Sequence, residues 1–148
     1  MTETAQPMFN MDKIYVKDLS LEIPNAPQIF LEREAPQIEV QLHTSADAIS
    51  EGVFEVTVTA TVTSKIADKV MFLIEAKQAG IFTIRNLPEA EKAPVLGVMC
   101  PNILFPYLRE TISDVSVRAG FAPVLLSPIN FDALYQQQQA QAAGTTIQ

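Results

Sequence analysis

The sequence predicts an α+β fold, a four-stranded antiparallel sheet followed by two helices packed on one side of it. Three observations carry this. Apolar residues alternate with period two in four stretches before residue 85. After Pro88 and Pro94 the spacing becomes helical. The links between the strands are short and polar, which favours antiparallel hairpins.

The first strand is expected over 13–23, "KIYVKDLSLEI". Ile14 and Val16 share one face, but Leu19, Leu21 and Ile23 have the other parity. A change of parity inside a strand predicts a bulge near Lys17 and Asp18. Pro24, Pro27 and Pro36 enclose a loop. The second strand is "QIEVQLH" (37–43), with Ile38, Val40 and Leu42 on one side. In the third, "VFEVTVTATVT" (53–63), Phe54, Val56, Val58, Ala60 and Val62 face one way, while Glu55 and four threonines form a face that reads as solvated. The fourth, "KVMFLIEAKQ" (69–78), is continued by "AGIFTI" (79–84) past a glycine bend.

Pro101 suits the first position of a helix, where its missing N–H costs nothing. Pro106 predicts a kink or a second start. Gly120 is expected as a left-handed cap, with Arg118 near the negative end of the helix dipole. An apolar loop, "FAPVLLSPI", leads to Asn130 as the N-cap of the second helix, and Ile129 and Leu134 have the spacing of a hydrophobic staple. That helix runs through "FDALYQQQQAQAA" and ends in "GTTIQ". The 148 residues make one expected domain, with 1–10 and 141–148 as disordered tails.

A single cysteine excludes an internal disulfide and fits a reducing cytoplasm. The N-terminus has no basic stretch leading into an apolar run, so no signal peptide is expected. No apolar run approaches the roughly 20 residues a membrane helix needs. Net charge is −7, and the ten Lys and Arg form no stripe. That field repels a nucleic-acid backbone and suits a basic protein partner. Cys100 as a nucleophile needs a base, and His43 is the sole histidine, on a strand. The plainer reading of Cys100 is a small buried residue at a helix start. One Cys and one His do not make a structural zinc site. No phosphate-cradling loop is present in the sequence, and no metal or cofactor is expected.

At about 100° per residue, Leu104, Phe105, Leu108, Ile112, Val115 and Ala119 form one arc of the first helix. Ile103, Tyr107 and Val117 form a second, nearly opposite. A helix covering its own sheet needs one stripe. Two predict a helix sandwiched against another subunit, or else a monomer whose second helix covers that side.

The stretches 97–135, "GVMCPNILFPYLRETISDVSVRAGFAPVLLSPINFDALY", 14–27, "IYVKDLSLEIPNAP", and 80–84, "GIFTI", closely resemble the SecB family of protein-export chaperones. The resemblance spans about residues 8 to 140. It implies an ATP-independent chaperone of the bacterial cytoplasm that holds precursor proteins unfolded and passes them to the motor SecA. It implies a dimer of dimers with the long helices between the sheets. It places the SecA contact on Asp18 and Glu22 of "KDLSLE" and on Leu73 and Glu75 of "FLIEAKQ". It also implies an apolar client groove, for which Ile38, Val40 and Leu42 supply one wall. Phe121, Leu125, Leu126, Phe131 and Leu134 are candidates for the other, each either groove or core. The chain departs from many family members in having "EREAP" (32–36) where a tryptophan precedes the proline, which leaves the groove's aromatic lining open. Two alternatives remain: a SecB-like chaperone of a toxin–antitoxin system, and a small-ligand carrier with a closed pocket.

Overall fold

A computed structural model describes residues 6–146, with side chains described as far as Gln141. Four antiparallel strands, β1 (Met8–Glu22), β2 (Gln37–Ser50), β3 (Val53–Ile66) and β4 (Lys69–Arg85), form one sheet in the order β1-β4-β3-β2. β1 and β2 are its edges. The period-two pattern becomes two faces. Val56, Val58, Ala60 and Val62 of β3 and Phe72, Ile74, Ala76 and Phe82 of β4 are buried beneath the helices.

The parity change in β1 is a bulge. Val16 pairs with Gln78 and Asp18 with Lys77, which leaves Lys17 without a partner on β4. A second irregularity lies between Met11 and Lys13. Several elements run longer than expected. β1 begins at Met8, inside the segment expected as a tail, because Met8, Phe9 and Asn10 pair with Arg85, Ile84 and Thr83. β2 continues to Ser50, since "TSADAIS" pairs with β3 although its helix-side residues Thr44, Ala46 and Ala48 carry no apolar signal. β4 crosses the glycine without a break. Residues 1–5 and 147–148 of the expected tails lie outside the described residues.

The helical chain also starts early. A short helix α1 (Glu89–Pro94) passes through a π-helical turn (Val95–Met99) into α2 (Cys100–Arg118). Pro101 therefore follows a wide turn of the same coil instead of opening it. Pro94 lacks the N–H that continues the ordinary ladder, and the turn widens directly after it. α2 runs through Pro106 without ending. The carbonyl freed by that proline belongs to Asn102, and both residues are exposed, so water can satisfy it.

Both caps form as expected. Gly120 has φ +94, its N–H donates to the Val117 carbonyl, and the Phe121 N–H donates to that of Ser116. This is the double closure that a left-handed glycine permits. Asn130 Oδ1 accepts from the Ala133 N–H at 3.0 Å and starts α3 (Phe131–Thr146), which extends into the segment expected as a tail. α2 buries Leu104, Phe105, Leu108, Ile112 and Val115 against β3 and β4. α3 is seated by a close approach: a Cβ on Gly97 would lie 2.3 Å from the Tyr135 ring, so only glycine leaves room.

Candidate functional site: an open groove and an acidic sheet face

β2 is an edge strand, and its helix-side residues are only partly roofed. Ile38 and Val40 are 47% and 43% exposed, and Leu42 is half-buried. Opposite them runs the connection from α2 to α3. It is extended, so Val124 and Leu126 point inward while Leu125 is 71% exposed. The Val124 N–H donates to the buried Ser116 Oγ at 2.9 Å, which pins the connection to α2. Between the two walls is an open cleft of about 370 Å³, lined by Ile38, Val40, Leu42, Pro123, Val124, Leu125, Leu126, Ser127 and Ile129. The exposure of its wall residues makes it a groove open to solvent, unlike the closed cavity of a ligand carrier.

Of the eight expected groove residues, five line it: Ile38, Val40, Leu42, Leu125 and Leu126. Three do not. Phe131 is 3% exposed and packs edge-on against Phe105 at 5.6 Å, inside the core. Leu134 is half-buried against that core. Phe121 stands in a column of rings between Phe30 (5.0 Å) and Phe72 (4.9 Å). Among the described residues that line this cleft there is no aromatic ring: its walls are aliphatic and proline, with Ser127. Pro123, Val124, Ser127 and Ile129 were missed, because an irregular connection has no period from which to read its inward side. Phe30, also missed, belongs to the short apolar run "QIFL" within the proline-bounded loop.

The outer face of the sheet is read off the pairing. One row across the strands is Glu22, Leu73, Thr63 and Glu39. The next is Ser20, Glu75, Thr61 and Gln41, and the third is Asp18, Lys77, Thr59 and His43. Successive rows are about 7 Å apart. The structure thus brings Asp18, Glu22, Leu73 and Glu75 onto one face, with Glu39 on the far edge strand of the same row as Glu22 and Lys77 as the only lysine or arginine in these rows.

A fourth row, Tyr15, Ala79, Thr57 and Ser45, is not solvated as the threonine pattern suggested. Tyr15 reaches over Ala79 and donates its hydroxyl to Glu55, which also receives the Lys17 ammonium at 2.6 Å. Ala79 and Thr57 are buried. The bonds from Lys17 and Tyr15 hold the Glu55 carboxyl below its usual range. Burial, reinforced by the bond to Glu55 and its charge, pushes Tyr15 up to about 12. The signal in the sequence was one acid, Glu55, heading a threonine face.

A second apolar area lies on the helix side, where β1 is not covered. Tyr107 and Val117 of α2 are 48% and 52% exposed, and Val16, Leu19 and Leu21 of β1 are also exposed. Tyr107 shares a depression of about 510 Å³ with Ile14, Val16, Gln78, Pro106 and Thr111. α3 does not shield Tyr107 or Val117. Ile103, expected with them, is instead half-buried against the core.

Cys100 and His43 cannot cooperate. Cys100 is fully buried on the helix side, whereas His43 is exposed on the outer face. Burial pushes the thiol up to about 12, the opposite of an activated nucleophile. In the native protein Cys100 is therefore expected to be inert to a thiol reagent at about pH 8, and to react fully in denaturant. Native-state reaction at the rate of free cysteine would contradict its placement. An unfolded thiol ionises from about pH 8.5, so the folded state keeps a proton that the unfolded state releases. Cys100 thus lowers stability as pH rises from there towards 12.

The fold thus combines a buried core, an open apolar groove and an acidic outer sheet face. The family model described as "Preprotein translocase subunit SecB" matches residues 2–142, and this chain belongs to the SecB family. It is 65% identical to the protein-export protein SecB of Nitrosomonas eutropha, over 97% of this chain and 91% of the relative. It is 62% identical to that of Methylobacillus flagellatus, over 97% and 94%. Among solved structures it resembles the SecB-like chaperone of Mycobacterium tuberculosis in complex with an antitoxin peptide. That match has a TM-score of 0.68 and 16% identity, over 82% of this chain and 90% of that one, and it shows a shared fold. The SecB family is in general non-enzymatic. No helix among the described residues is long and apolar enough to cross a membrane.

Proposed function

We propose that this chain is the subunit of an ATP-independent export chaperone of the cytoplasm, which keeps precursor proteins unfolded and delivers them to the motor SecA. The observation that carries the reading is the open groove between Ile38 and Val40 on one wall and Leu125 on the other. Unfolded chains expose apolar side chains and unpaired backbone, and an aliphatic groove beside an edge strand accepts both without reading sequence. Each seated apolar side chain contributes about 1–2 kcal/mol at roughly 25 cal/mol per Å². Successive contacts along one client act at high effective concentration, so weak sites add up to a firm hold. Release then comes from competition, as SecA captures the precursor.

The exposed Tyr107 and Val117 of α2, with Val16 beside Tyr107 and Leu19 and Leu21 exposed on β1, support assembly as a homotetramer, a dimer of dimers with α2 between the sheets. The outer face with Asp18, Glu22, Leu73 and Glu75 is the SecA contact in this reading. Service to a toxin–antitoxin system is the weaker alternative, because relatives 65% and 62% identical carry the export name and the antitoxin-bound chaperone, at 16% identity, shares only the fold.

Light scattering on the purified protein tests the reading. The expected mass is four subunits, rising by one client when a slow-folding denatured precursor is added without ATP. A stable monomer that ignores the unfolded chain would sink both the holdase and the tetramer.

A further inference from the structure

The Tyr15, Lys17 and Glu55 cluster has no part in the groove, and it sits on the outer face one row beyond Asp18. Its place along β1 is telling. Tyr15 and Lys17 flank Val16, and Lys17 is the extra residue of the bulge. Before the bulge, Tyr15 faces outward and Val16 faces the helices. After it, Asp18, Ser20 and Glu22 face outward. Without the extra residue the alternation would turn Asp18, Ser20 and Glu22 towards the helices, and Leu19 and Leu21 outward. The acidic face therefore exists only because β1 bulges, and its placement depends on where.

The apolar pattern demands a bulge somewhere between Val16 and Leu19 but does not choose its position or angle. The cluster does. One carboxylate on β3 accepts from two β1 side chains across the whole width of β4, the Lys17 ammonium at 2.6 Å among them. Ala79 is small enough to let Tyr15 pass over it, and the Glu55 side chain is largely shielded. We propose that Glu55, with Tyr15 and Lys17, is a positioning clamp that fixes the β1 bulge and so sets Asp18 and Glu22 in register with Leu73 and Glu75. This rests on the reading of that face as the SecA contact. The clamp itself is a claim about the free protein.

The test separates position from charge. Glu55→Asp keeps the carboxylate but shortens its reach, and Tyr15→Phe removes a donor without changing charge. Both are expected to weaken binding of purified SecA about threefold to thirtyfold, the range of a lost side-chain coupling. In the free protein both should speed amide exchange and shift the amide signals of Asp18, Ser20 and Glu22, with client affinity and assembly mass unchanged. Wild-type SecA affinity in Glu55→Asp would overturn the clamp. So would weakened affinity with unmoved signals from Asp18 to Glu22, which would make Glu55 a direct contact. Asp18→Asn with Glu75→Gln is the control for the face itself. If that variant binds SecA normally while the amide shifts appear in the clamp variants, the contact assignment has failed and the clamp loses its purpose, though not its structure.

Discussion

Val40→Asp combined with Leu125→Asp is expected to lower affinity for an unfolded client about a hundredfold or more, while the assembly mass stays that of the wild type. The two residues stand on opposite walls of the groove, so the pair spoils both sides at once. Each loses an apolar contact of about 1–1.5 kcal/mol and gains a carboxylate that must shed water when a client covers it. Both side chains are already exposed in the free protein, so the fold does not depend on their apolar surface. Binding of a labelled, denatured precursor checks the outcome, and SecA binding serves as the control for folding. Normal client affinity in a folded double variant would place the client elsewhere. Phe131→Asp would not serve as a probe, because that ring lies in the core and its loss would unfold the site.

That contrast between Val40 and Phe131 shows what was legible in the sequence. Period two in "QIEVQLH" placed Ile38, Val40 and Leu42 on one face, and an edge position left that face open. The resemblance offered Phe131 as either groove or core, and nothing in the sequence says which neighbour it meets. The neighbour turned out to be Phe105. Leu125 and Leu126 are adjacent in a connection with no period; the connection, tied to α2 by the bond from the Val124 N–H to Ser116, buries Leu126 and leaves Leu125 exposed.

Elements with a chemical signature at their ends were readable: the bulge at Lys17, the Asn130 cap, the Gly120 closure. The missed pieces lack one. Residues 44–50 pair as strand with small helix-side side chains, Thr44, Ala46 and Ala48, because at Thr44 and Ala46 that side of β2 meets the π-helical turn and α3 rather than bulky core. Helical spacing after Pro88 was legible but its start was not, because Pro101 suits a first helical position while the coil absorbs Pro94 by widening. Tyr15 and Glu55 are 40 positions apart in sequence, and their meeting depends on the strand order.

Asp18→Lys combined with Glu75→Lys is expected to abolish SecA binding and leave client binding intact. The two acids stand on adjacent strands in neighbouring rows about 7 Å apart. That spacing is comparable to the screening length of about 8 Å at physiological salt, so neighbouring acids such as Asp18 and Glu75 act together on a basic partner, while Glu39, two strands from Glu75, adds little to them. Reversing two of them turns the field against the partner, whereas neutral replacements only weaken it. Neither residue lines the groove, and neither belongs to the core, so the client-binding side gives an internal control. The wild-type interaction should weaken steeply as salt rises, and whatever binding survives in the reversed variant should not. A reversed variant that binds SecA with unchanged affinity and unchanged salt dependence would move the motor's contact off this face, since no acidic surface survives two charge reversals at its centre with its electrostatics intact.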